Sequence, residues 1–306
     1  MSEVFGALVP TFLLIALGYA TRAARIATAE QFAMVNRFGY FVLYPAFLFT
    51  LISSARFAGG EALPFLGGVL GGFAAAALCA LALRVFFRSD GPAFTSVFQG
   101  SLRWNGFALL AAAPALFGPQ GTALIALAFG PLVLFLNIIC VIVLARWGEA
   151  RATSMRAVLD QIIANPLIIA CAVGIIVNLA GLRDLGYASD ALALLGQAAM
   201  PIALVCVGAG LDFGALRASL PKVATASAMR LVLAPALVWG ACLITGAGPL
   251  HLAVAVGIAS TPVAAASYTL AREMGGDARL MAAIITATTI LSMLTMPIVI
   301  SLALHS

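Results

Sequence analysis

Apolar residues recur along this chain in long runs, each closed by a short break of Gly, Pro or charged residues. Ten runs are read, at about 4–22, 31–54, 62–86, 92–116, 121–146, 156–181, 187–211, 219–245, 249–272 and 277–304. Runs of roughly 20 apolar residues are long enough to cross a bilayer as helices. Lipid offers the backbone no partners, so a spanning segment must satisfy its own N–H and C=O groups. The alternating pattern of an outer-membrane strand does not occur. The pattern predicts an all-α membrane protein with ten transmembrane helices, numbered here as spans 1 to 10.

Composition strengthens that reading. The chain is 63% hydrophobic and 9% charged, with a mean hydropathy of +1.13, whereas a soluble domain carries about 25% charged residues. No hydrophilic stretch is long enough for a second unit, so residues 1–306 are taken as a single transmembrane domain. The first run lacks a preceding basic segment and is followed by Arg22 and Arg25. It reads as a span rather than a removable signal. The five cysteines all fall in apolar runs, their number is odd and no C-x-x-C spacing occurs. They read as small buried hydrophobes, and neither a metal nor a cofactor is expected.

The net charge of +5 does not point to nucleic acid, because the basic residues are scattered singly through short loops. They report orientation instead. With the N-terminus outside, the loops after odd-numbered spans hold 11 of the 16 Lys and Arg residues, and the opposite side holds Arg56 and Arg183. Both termini are therefore expected on the non-cytoplasmic side of the cell (inner) membrane. Asp160 and Asp212, near cytoplasmic span ends, read as solvated or capping. The three remaining cations, Arg37, Arg103 and Arg230, fall within spans. Arg230 is placed near the start of span 8, where a long side chain can snorkel to the interface.

Arg103 is harder to place. It stands with Asn105 in "QGSLRWNGFALLAAAPALFG", residues 99–118. An arginine at a helix centre costs about 2.5–3.5 kcal/mol on insertion scales. An internal repeat gives the position meaning. Pro10, Gly18 and Pro45 lie 156 residues before Pro166, Gly174 and Pro201, and Gly118 lies 157 before Gly275. The unit is about five spans, repeat one about 1–150 and repeat two about 151–306. Five is odd, so equivalent spans cross in opposite directions, as in transporters with inverted repeats. Asn105 then falls opposite Pro262. Pro262 removes a backbone donor and disturbs the carbonyl one turn earlier, and Ser260 and Thr261 can partly satisfy what is freed. Trp104 and Gly106 flank the weaker break in span 4, with Gly106 as its permissive residue. Interrupted spans at matching places in two halves point to a substrate site. "GGVLGG" at 67–72 carries two overlapping G-x-x-x-G spacings, a signal for close helix packing.

The motifs "LVPTFLLIALGY", "YPAFLF", "RWNGF…PALFG", "NPLIIACAVGIIVN", "MPIALVCVGAGL" and "TPVAAASYTLAREMGGD…TATTILSMLTMP" follow one another over nearly the whole chain. In content, order and spacing the chain resembles the auxin efflux carrier family in its short bacterial form. That family is related in fold to plant auxin carriers and to bile acid/sodium symporter-like proteins. The resemblance implies two inverted five-helix repeats, with spans 1, 2, 6 and 7 as scaffold and spans 3–5 and 8–10 as transport unit. It implies that broken spans 4 and 9 cross near the midplane and bind substrate there. It also implies elevator-type alternating access, a homodimer through the scaffold, and small organic anions as substrates, auxin-like or dicarboxylic. Asn105 matches the family's carboxylate-contacting asparagine, and Pro262 its span-9 crossover proline. Two features depart from the plant carriers. Trp104 stands where they have a proline, and their long loop between spans 5 and 6 is absent.

The candidate substrate-binding set is Arg103, Asn105, Ser260, Thr261, Pro262 and Tyr268, with Trp104, Gly106 and Pro262 shaping the crossover. Arg103 can pair with a bound carboxylate or prop unwound carbonyls. Tyr268 can pack or bind. A sodium-coupled symporter is the nearest alternative. A channel fits less well, since no ring of charges or filter-like segment is present. An enzyme has few candidate groups: His251 and His305 sit at span ends, and no H-E-x-x-H motif or midspan acid pair occurs.

Overall fold

The computed structural model describes residues 2–55, 62–87, 90–149, 164–182, 186–217 and 219–305. The first part of span 6, Asp160, and Arg56, Arg88, Arg151, Arg156 and Arg183 lie outside the described residues. Among the described residues every regular element is helical. The helices are α1 Ser2–Ala23, α2 Ala29–Ser53 and α3 Ala62–Phe87, α4 Gly91–Leu102, α5 106–117 and α6 119–147. They continue as α7 Pro166–Leu179, α8 Tyr187–Ala209, α9 Leu220–Thr245, α10 Pro249–Ser260, α11 Ala266–Glu273 and α12 Ala278–Leu304. Seven helical stretches are long and apolar enough to cross a membrane, one of them running from Gly91 to Trp147 through α4, α5 and α6. The protein is thus an all-helical, multi-pass membrane protein.

Large apolar side chains such as Leu13, Leu17, Ile176, Leu194 and Ile244 point outward, which suits a bundle whose solvent is lipid. The most enclosed helices are α4 and α10. Every residue from Ala93 to Leu102 and from His251 to Ser260 is buried. An element that is apolar all round belongs in the middle of a bundle. Each has 12 residues, about 18 Å at 1.5 Å per residue. That is short of the roughly 30 Å hydrocarbon core, so each ends partway through.

Two long helices carry a wide π turn, Gly39–Leu43 in α2 and Met229–Leu233 in α9. Each lies just before a proline, Pro45 or Pro235. Proline has no N–H and its ring presses on the carbonyl four residues back, here Phe41 or Leu231. The wider turn absorbs that conflict without ending the helix.

Close packing depends on small residues. The Gly68/Gly72 pair of the "GGVLGG" stretch seats α3 on α9. A Cβ at Gly72 would lie 2.4 Å from the Val238 Cα and one at Gly68 2.5 Å from the Cys242 Sγ. The other pair, Gly67 and Gly71, has room. Between α1 and α8 the contact is mutual: a Cβ at Gly18 would lie 1.9 Å from the Val205 oxygen, and one at Gly208 1.7 Å from the Ile15 oxygen. Gly174 of α7 faces Ile52 and the Phe49 oxygen of α2 at 3.1 and 3.3 Å.

Helix ends are closed by side chains from neighbours. Arg22 Nη1 donates to Ala209 O at 2.6 Å and Leu211 O at 3.3 Å, closing α8. Asn178 Nδ2 donates to Ile52, Ser53 and Ala55 carbonyls at 3.0, 2.9 and 2.6 Å, closing α2. Asp90, Asn165 and Asp277 cap the starts of α4, α7 and α12, while Asp212 accepts the Ala215 N–H.

Candidate functional site: two helix breaks in contact

Helix α4 ends at Leu102, Arg103 adopts an extended conformation (φ −68°, ψ 130°), and Asn105 begins α5. Asn105 is buried, its Oδ1 accepts the Ala108 N–H at 3.3 Å, and its own N–H donates to the Pro262 carbonyl at 2.9 Å. The second break is therefore the direct partner of the first. Helix α10 stops at Ser260, Thr261 is extended (φ −66°, ψ 153°), and α11 resumes at Ala266. The Val263 N–H between them donates to Thr288 Oγ1 of α12 at 3.2 Å.

The backbone groups freed by Pro262 are accounted for. The carbonyl four residues back, Ile258, accepts from Thr261 Oγ1 at 2.9 Å and from Arg230 Nη2 at 3.2 Å. Ser260 Oγ donates to Gly257 O at 2.8 Å. Ser260 and Thr261 thus repair the break, as their chemistry suggests. Tyr268 lies on α11 with its side chain partly exposed, 39% by residue.

Arg230 requires a correction. It does not reach an interface. It is 0% exposed, in the π turn of α9, and donates from Nε to Thr261 O at 2.9 Å and from Nη2 to Thr261 Oγ1 at 2.8 Å. Its guanidinium also lies 5.4 Å over the Phe73 ring of α3. The wide turn and the carbonyls released at Thr261 give a cation enough partners to stay inside. An arginine well inside an apolar run was the available signal.

A second correction concerns Gly106. It begins α5 without a left-handed φ, so its role is space. A Cβ there would lie 2.3 Å from Phe129 and 2.9 Å from Trp104. Trp104 itself is buried, with its ring 5.1 Å from that of Phe129 on α6. Left-handed glycines appear instead at Gly118, between α5 and α6, and at Gly275, between α11 and α12 (φ 65° and 73°).

Several polar atoms at the first break are buried without a protein partner: both amide atoms of Gln99, Arg103 Nη1 and Asn105 Nδ2. Among the described residues no Asp or Glu is buried. The niche is rich in donors and, among the described residues, lacks acid. The metal-ligating side chains of the described residues form no cluster of three or more. A cavity of about 540 Å³ lies elsewhere, where α3 ends and α9 begins, lined by Leu83, Phe86, Phe87, Asp90, Lys222 and Thr225.

A bundle of apolar helices in which two short buried helices stop against each other, leaving polar atoms inside, has the architecture of membrane transport proteins. Comparison with known proteins agrees. A family described as membrane transport protein matches residues 3–300. The chain belongs to that family, the auxin efflux carrier family its motifs resemble, whose members are transporters rather than enzymes. It is similar to an uncharacterized transporter of Methanothermobacter thermautotrophicus, 26% identical over 291 residues that cover 94% of each chain.

Proposed function

We propose that this protein is a secondary transporter of small organic anions, working by elevator-type alternating access. The observation that carries the reading is the donor-rich niche at the touching breaks, which holds no acid among the described residues. A buried amide nitrogen and guanidinium nitrogen without protein partners are costly unless something else accepts their hydrogens, and a carboxylate does so with charge assistance. Arg103 and Asn105 contact the substrate in this reading. Ser260, Thr261 and Pro262 shape the niche, and Tyr268 stands at its rim. The start of α5 contributes the positive end of a helix dipole.

The same reading takes the chain as ten spans in two inverted halves, with α4/α5 as broken span 4 and α10/α11 as broken span 9. Paired contacts support it. Gly174 is 156 residues after Gly18, and Val205, which Gly18 touches, is 156 after Phe49, which Gly174 touches. The end caps obey the same offset: Asn178 follows Arg22 by 156, and Ala209 and Leu211 follow Ser53 and Ala55 by 156. A scaffold of spans 1, 2, 6 and 7, against which the transport unit moves as one of two copies, completes the proposal.

The test is ligand binding by purified protein in detergent, with labelled indole-3-acetate and malate as representatives of the two anion classes. Binding of one class is expected, weakened at least about tenfold in Asn105→Ala, the loss of one charge-assisted contact. Saturable binding that is untouched by Asn105→Ala and by Arg103→Ala contradicts the site.

A further inference from the structure

Arg230 is outside the set assigned to the anion above, and it is among the largest fully buried side chains of the described residues. Three oxygens of the second break converge on it: the Ile258 carbonyl, the Thr261 carbonyl and the Thr261 hydroxyl, at 3.2, 2.9 and 2.8 Å. They lie at the C-terminal end of α10, the negative end of that helix's dipole. Its other flank is the face of Phe73, the position 157 residues earlier, so only the second half supplies a cation here. No carboxylate among the described residues is ion-paired with Arg230, and its Nη1 is buried without a partner.

In transporters with interrupted helices, unwound carbonyls and half-helix C-terminal ends are the groups that coordinate a coupling sodium ion. Here such oxygens are filled by a planar fork of N–H donors that remains charged. A free cation at the same oxygens would face the guanidinium within a few ångströms in a poorly screened interior, which is strongly unfavourable.

We propose that Arg230 is a tethered cation: its guanidinium occupies the oxygen cluster at the end of α10 where a coupling ion would otherwise sit, so the chain neutralises its second break itself and transport has no sodium requirement at this place. This rests on the transporter reading above. Arg230 acts as a positioning residue, holding Thr261 and hence the Pro262 carbonyl that Asn105 engages.

The test uses thermal unfolding of the purified full chain, so its failure would leave the transporter reading standing. Wild-type Tm is expected to be the same in sodium, potassium and choline chloride at equal ionic strength. Arg230→Ala and Arg230→Gln should lose roughly 5–10 °C, from oxygens left unpaired. At least about half of the loss should return in 10 mM guanidinium or in sodium chloride, but not in equal urea or choline chloride. Arg230→Lys, which keeps a point charge, should stay nearer wild type without added cation. If both neutral variants prove too unstable to purify, the wild-type salt comparison and Arg230→Lys decide the matter. A sodium-specific stabilisation of wild type, Arg230→Lys as damaged as Arg230→Gln, neutral variants as stable as wild type, or a loss that no cation restores would each overturn the proposal.

Discussion

The two halves of the molecule perform matching tasks with different residues. At one helix end the first half uses Arg22 to close α8, and at the corresponding end the second half uses Asn178 to close α2. The hydrogen bonds are equivalent but the charge is not. Arginine closes one of these ends and a neutral amide the other. The breaks differ in the same way. The first carries its cation within itself, at Arg103, whereas the second receives one from α9, at Arg230. The 156-residue correspondence pairs the backbone groups that need partners. It leaves open which side chain provides them, and that freedom lets the two sides and the two breaks acquire different chemistry.

Substitutions at paired positions sharpen the comparison. The largest effect is expected at Gly18, whose Cβ would enter a backbone carbonyl. Gly18→Ala should separate α1 from α8 and cost about 3 kcal/mol or more, at the upper end of overpacking effects. At Gly174, 156 residues later, a Cβ would meet Ile52 and the Phe49 oxygen at 3.1 to 3.3 Å, tight contacts that a shift of a few tenths of an ångström relieves, so Gly174→Ala should cost below about 1 kcal/mol. Melting curves in detergent, with Gly6→Ala as a control where nothing lies within 4 Å, separate these outcomes. Equal losses at Gly18 and Gly174 would break the contrast.

A smaller difference is expected between the end caps. Arg22→Ala removes charge-assisted hydrogen bonds and should cost about 1.5–3 kcal/mol. Asn178→Ala removes neutral ones and should cost nearer 1 kcal/mol. Arg22→Asn should recover part of the loss if the cap's main task is to satisfy the carbonyls.

The smallest effect concerns the Asp90–Lys222 pair, which joins the start of α4 to the start of α9. Burial pushes the Asp90 carboxyl upward, but the Lys222 hydrogen bond, the Ala93 N–H and the Lys222 charge outweigh it and leave it below its ordinary value. A carboxyl held low by the fold stabilises the protein at neutral pH. That contribution is lost as pH falls below about 4, through the folded value. The pair is partly exposed, at 31% and 43%, so the effect should stay below about 0.5 kcal/mol. Asp90→Asn should remove this share of the acid sensitivity while keeping the cap, a change readable in Tm measured between pH 3.5 and 7.

Much of this was legible in the sequence because membrane helices announce themselves by length and apolarity. The break at Pro262 was legible for a local reason: proline removes a donor wherever it stands. Contact between the breaks could be anticipated only through the repeat offset. What escaped was what depends on neighbours distant in sequence. Gly106 reads as a flexible residue until Phe129 is seen filling its Cβ space. Arg230 reads as a snorkelling side chain until the π turn and the Thr261 carbonyl are placed around it. The helix-closing roles of Arg22 and Asn178 likewise lie in carbonyls more than a hundred residues away.

The central claim is that the niche where Asn105 meets Pro262 carries an organic anion across the membrane. Counterflow in proteoliposomes tests it most directly, with unlabelled malate or indole-3-acetate inside and the labelled compound outside. The account predicts transient accumulation of label by wild type, reduced at least about tenfold in Arg103→Ala and Asn105→Ala, each removing a charge-assisted contact, with both variants eluting as folded protein. Wild-type rates in both variants, for a compound that wild type demonstrably exchanges, would contradict it.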